Sequence, residues 1–147
     1  MLRRLVAGLG ALALVAEAAV LVLVHVVLGR ATASQSMSVA GSDPNVMSKA
    51  TYGLGVAMGA FLLLNAVLLA VTALRDRPPG RAARVVLVAA AVTHGVLGAL
   101  AVGLVGWGAF AATTALFCLI VLTLTLYAEH DLTAPSAPQE GLRPTNP

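Results

Sequence analysis

Few residues of this 147-residue chain are able to do chemistry, and nearly all of them stand alone in apolar surroundings. Glu17 sits in Leu12-Ala13-Leu14-Val15-Ala16-Glu17-Ala18-Ala19 and is the only acidic or basic residue, histidine aside, between Arg4 and Arg30. Asn65, His94 and Cys118 are the isolated polar residues of three later apolar runs. An ionisable side chain held in hydrocarbon costs at least about 2.5–3.5 kcal/mol on insertion scales, so each needs a partner or a purpose. A carboxyl group paired with an imidazole is a natural proton-exchanging couple, because hydrocarbon disfavours the charged acid and histidine changes charge near neutral pH.

Two readings of Glu17, Asn65 and His94 stand side by side. In one they form a buried proton-handling or ligand-binding site, with His94 exchanging protons with Glu17. In the other they hydrogen-bond to one another and fix helix packing, as polar residues between membrane helices do. His25 lies eight residues beyond Glu17, about 12 Å along a helix, and reads as an interfacial histidine. A haem held between His25 and His94 would need both at one depth, whereas they differ by roughly 15 Å. Cys118 has no second cysteine to pair with and reads as an inert thiol. Met37 and Met47, soft ligands in principle, have no histidine beside them and read as incidental loop residues. The chain has no Gly-x-Gly-x-x-Gly, Walker loop, His-Glu-x-x-His or Cys-x-x-Cys, so neither catalytic residues nor a cofactor or metal site is expected. Glu129-His130-Asp131 reads as a solvated helix end.

The elements that must carry these residues follow from composition. Hydrophobic residues make up 59% and charged residues 10%, against about 25% charged in soluble domains. That excludes an ordinary soluble enzyme, a disordered chain and a disulfide scaffold. A membrane helix needs about 20 apolar residues, and the sequence offers spans at 5–29, 52–74, 85–105 and 109–128. The last two are one apolar run, which as a single helix would be roughly 65 Å long and must fold back. Gly106-Trp107-Gly108 supplies the turn. The result is an all-α, four-helix transmembrane domain over residues 1–131, with an outer loop at 30–51 and an inner loop at 75–84. Asn45 or Ser48 is expected to cap the second helix, and the Pro-rich tail 132–147 is expected to be disordered. In this layout Glu17, Asn65, His94 and Cys118 fall at about one depth, so that they could meet inside one bundle.

Orientation follows from the arginines. Arg3, Arg4, Arg75, Arg77, Arg81 and Arg84 fall on one side, against Arg30 and Lys49 on the other. The positive-inside rule makes this a multi-pass plasma-membrane protein with both termini cytoplasmic. Tyr52, Trp107 and Phe110 then lie near the outer interface and Tyr127 near the inner one. The net charge of +3 orients helices and implies no nucleic-acid partner. Ala31-Thr32-Ala33 resembles a signal-peptidase site, but the preceding apolar run is far longer than about 7–15 residues and carries an acid, so an uncleaved helix is expected. Small residues at four-residue spacing (Thr51, Gly55 and Gly59; Ala91, Gly95, Ala99 and Gly103) mark close-packing faces, toward neighbouring helices, a second copy or a partner membrane protein.

A central glutamate in the first of four helices resembles the small multidrug resistance transporters over the stretch Leu12–Ala19. In that family the first-helix glutamate binds both proton and cationic drug, which the resemblance carries to Glu17 alone. The family's Gly-Thr after the glutamate is replaced here by Ala18-Ala19, and its short loops by 30–51. In composition and layout the whole chain is similar to small four-helix membrane proteins of actinobacteria. The expected function is a structural or accessory one without a catalytic site; the alternative is a proton-coupled small-molecule transporter using Glu17 and His94.

Overall fold

The computed structural model describes residues 1–35, 41 and 43–133, with side chains through residue 128. The chain forms four helices, α1 (Leu2–Ser34), α2 (Pro44–Arg75), α3 (Arg81–Leu104) and α4 (Trp107–Thr133), with no strand among the described residues. Each is long and apolar enough to cross a membrane, where only a helix or a closed barrel satisfies every backbone group internally. They run up and down as a bundle. α1 packs mainly on α2 and α3 mainly on α4; α1 also lies along α4, and α2 touches α3 lightly. The order around the bundle is therefore α2, α1, α4, α3, which sets α1 diagonally opposite α3 and α2 opposite α4.

The helices outrun the apolar runs. Residues 44–51, expected in the outer loop, are the first two turns of α2, and α1 continues to Ser34, so the connection shrinks to 35–43. Tertiary contacts account for the extension. Ser48 is buried and donates to the Gly29 carbonyl at 2.8 Å. Gly29 admits the Tyr52 ring where a Cβ would stand 2.6 Å from it. The expected cap is corrected as well: Asp43, not Asn45 or Ser48, caps α2, accepting from the Asn45 N–H at 2.7 Å with Pro44 in the first turn. At its other end α2 stops on Asp76 in the left-handed region (φ 51°) before Pro78-Pro79. Gly106, at φ +120°, turns the chain between α3 and α4. Trp107 beside it is exposed and meets Phe110 edge-on at 5.9 Å. Met37 and most of the tail 132–147 lie outside the described residues, although 132–133 form the end of α4.

The core is built from Leu14, Leu69, Leu87 and Ile120, each fully buried, over a floor of alanines. Leucines and valines cover the outside of α1, α2 and α3, and Trp107, Phe117 and Leu122 stand out from α4. Gly55 and Gly59 do form the expected close face: added Cβ atoms would stand 2.5 Å from His25 Cβ and 2.6 Å from Val22 Cγ2. The stripe on α3 divides between the core and the outside, with Gly95 beside the Phe117 ring of α4. Ala91 is buried, but Gly95, Ala99 and Gly103 are exposed. Strict four-residue spacing advances about 40° per step on a helix of 3.6 residues per turn and walks off the interface. The face that packs is Leu87, Ala90, Ala91, His94, Gly98 and Ala101.

Candidate polar site at the bundle centre

Glu17 and His94 meet. Glu17 Oε2 and His94 Nε2 are 2.9 Å apart, joining α1 to α3 across the diagonal of the bundle. His94 is 1% exposed and Glu17 22%. The second imidazole nitrogen, Nδ1, lies 2.7 Å from the carbonyl of Ala90 in the preceding turn of α3. A carbonyl only accepts, so Nδ1 carries a proton and the tautomer is fixed. One further proton is then shared between Nε2 and the carboxyl group. Whether it rests on oxygen or nitrogen, the pair is neutral overall. Adding or removing a proton would leave a net charge, which the bundle interior penalises heavily.

Around this pair the other candidates separate. Asn65 is fully buried on α2, between Gly59, which meets Val22, and Leu69, which meets Gly10. It is therefore nearly level with Glu17, but it bonds neither partner. Its Nδ2 donates to the Phe61 carbonyl of its own helix at 2.8 Å, and its Oδ1 has no partner. The expected three-residue network is thus corrected to a pair plus a solitary amide, because the Asn65 side chain bonds the preceding turn of its own helix instead of Glu17 or His94. Cys118 is exposed on α4 and does not join the centre. His25 is half-buried against Gly55 and donates Nδ1–H to the Leu21 carbonyl at 2.8 Å. Among the described residues no three histidine, cysteine or acidic side chains cluster as a metal site. Beside Glu17 an apolar groove of about 450 Å³ opens between α1 and α4, lined by Ala13, Ala16, Val20, Ala112, Ala115 and Leu119 among others.

A second polar cluster, unanticipated from sequence, closes the arginine-rich end. Arg3 grips Asp76 bidentately, Nε to Oδ1 at 2.7 Å and Nη2 to Oδ2 at 2.9 Å. The Arg3 guanidinium lies 5.4 Å from the centre of the Tyr127 ring. Tyr127 lies at this end, as its position implies, but buried in the bundle rather than facing outward, its hydroxyl 3.2 Å from the Thr72 carbonyl and 3.4 Å from Asp76 Oδ1. This joins α4 to α2, the other diagonal. The Arg3 hydrogen bonds hold the Asp76 carboxyl below the usual carboxylate range. The contact of Arg3 with Asp76 and Tyr127 sets the start of α1, the α2–α3 connection and the end of α4 at one end of the bundle. The signal in the sequence was Asp76 itself, the one acid in an inner loop of four arginines. Comparison of the chain with protein-family models, with curated proteins and with solved structures found no match.

Proposed function

We propose that the chain is a small polytopic plasma-membrane protein with both termini cytoplasmic and a structural or accessory role, without a catalytic site. The observation that carries this reading is the closed Glu17–His94 pair. Both imidazole nitrogens are engaged inside the bundle, and with one proton between Nε2 and the carboxyl group the pair carries no net charge. It serves as a strut between diagonal helices, the use to which buried polar groups in membrane bundles are commonly put. Orientation rests on the arginine asymmetry; a reporter fused to the C-terminus is expected to read cytoplasmic, and a periplasmic signal would overturn it. The test of the role uses the full chain in liposomes loaded with a pH-sensitive dye. Wild type and Glu17→Gln are expected to pass protons no faster than empty liposomes, and flux in wild type that Glu17→Gln abolishes while the fold survives would overturn the reading.

One observation favours a second reading, a proton-coupled small-molecule transporter centred on Glu17 and His94. Glu17 is not sealed off but borders the apolar groove between α1 and α4, which is open to an apolar ligand arriving from the bilayer. Ligand-dependent proton flux would support it.

A further inference from the structure

Two grooves on the outer surface of the bundle have the same construction. One, of about 510 Å³, runs between α1 and α2; its α1 wall includes Arg4, Gly8, Ala11 and Leu12. The other, of about 320 Å³, runs between α3 and α4; its α3 wall includes Arg84, Val88, Ala91 and Val92. The spacing is the same in both: an arginine in the opening turn of a helix, then positions four, seven and eight residues on. Each groove therefore has a basic mouth at the arginine-rich end and about 12 Å of apolar floor rising toward the midplane. The opposite walls are Ala70, Ala73 and Leu74 in one and, in the other, Phe117, Val121, Leu124 and Ala128 with one hydroxyl, that of Thr125.

Among the described residues the fold leaves both groove arginines without an ion pair: Arg3 is matched to Asp76, but neither Arg4 nor Arg84 has a carboxylate partner. Arg4, which lines the groove mouth, spends only Nε, on the Ala73 carbonyl at 3.0 Å, and its terminal nitrogens have no hydrogen-bond partner among the described residues. Both sit at the start of a helix without a side-chain cap. A helix N-terminus is the positive end of the dipole, so it does nothing to stabilise a cation and adds to the pull on an anion.

An occupant must therefore present a negative headgroup at the membrane surface and hydrocarbon below it. We propose that the α1–α2 and α3–α4 grooves are binding sites for anionic phospholipids of the leaflet on the N-terminal side, with the phosphate on Arg4 or Arg84 and an acyl chain along the groove. Basic pockets between membrane helices suit such headgroups.

Native mass spectrometry of the full chain in detergent tests this, with phosphatidylglycerol and phosphatidylcholine of identical acyl chains as probes. Wild type is expected to retain up to two phosphatidylglycerol molecules in preference to phosphatidylcholine. Arg4→Gln and Arg84→Gln should each lower that retention about fivefold at one site, the fold-change equivalent to about 1 kcal/mol per basic residue. Gly8→Leu separates the groove from the headgroup contact. Gly8 lines this groove and a Cβ there meets nothing within 4 Å, so Gly8→Leu should occupy the groove and cut retention with Arg4 intact. Equal retention of the two lipids, indifference to both arginine substitutions, a Gly8→Leu protein that binds like wild type, or displacement of the lipid by millimolar inorganic phosphate would each overturn the proposal.

Discussion

Replacing Glu17 separates what the central pair needs from what it merely tolerates. With Nδ1–H committed to Ala90, His94 Nε2 can accept a hydrogen bond, and the amide of Glu17→Gln supplies one in the position of a protonated carboxyl group. Glu17→Leu supplies none and leaves a nitrogen on a residue only 1% exposed without a partner. Orphaning such a group costs about 1–3 kcal/mol in protein interiors, and interhelical hydrogen bonds in membranes average about 0.6 and reach about 1.7 kcal/mol. Glu17→Leu should therefore destabilise the bundle by about 0.6–3 kcal/mol, while Glu17→Gln should stay within about 0.6 kcal/mol of wild type. Reversible unfolding in mixed detergent micelles, followed by helical circular dichroism, reads both. A cycle with His94→Phe isolates the coupling, expected at about 0.6–1.7 kcal/mol. If Glu17→Leu is silent, the pair is not a strut. If Glu17→Gln is as damaging as Glu17→Leu, the contact depends on charge and the neutral-donor argument fails.

Three further outcomes are expected. Arg3 holds Asp76 below its ordinary range, so this contact adds stability above the unfolded carboxylate value, about 3.9, and loses it as pH falls through the lower folded value; the unfolding midpoint should drop in that acid window, and Asp76→Asn should flatten that part of the pH profile. Tyr127→Phe removes only the hydroxyl bonded at the Thr72 carbonyl and should cost about 0.5–1.5 kcal/mol, whereas Tyr127→Ala empties a buried ring position and should cost about 3–5 kcal/mol in the same unfolding experiment. Gly55→Ala places a Cβ 2.5 Å from His25 Cβ and should destabilise by about 1–3 kcal/mol, while Gly53→Ala, with nothing within 4 Å, should be neutral or gain up to about 1 kcal/mol of helix propensity; equal effects at the two glycines would refute the close α1–α2 approach.

Depth was legible in the sequence and direction around the helix axis was not. Counting along apolar runs brought Glu17 and His94 to one level, and the structure joins them. The same count brought Asn65 and Cys118 to that level, yet Asn65 bonds its own helix and Cys118 faces out. Which helices lie diagonally opposite depends on packing between all four, and no single run encodes it. The turn at Gly106 was legible because an apolar stretch twice the membrane thickness must reverse and glycine marks where. The overhang of α1 and α2 was not, since polar residues such as Ser48 read as loop until the Gly29 carbonyl they bond is in view. Tyr127 carried an interfacial signature by type and position, but Arg3 and Asp76 draw it inward.

The two diagonal contacts bear on assembly. α1 with α2, and α3 with α4, are the two closely packed pairs of the bundle, each consecutive in the chain. Glu17–His94 and Tyr127–Thr72 both run from one pair to the other, so neither forms until the two pairs have docked. Until then Glu17 lacks its His94 partner. The docking step thus converts a liability of the N-terminal half into the contact that recognises the C-terminal half. Cut in the loop between α2 and α3, the two halves would still carry the means to find each other, and the N-terminal half alone would be the poorer membrane resident.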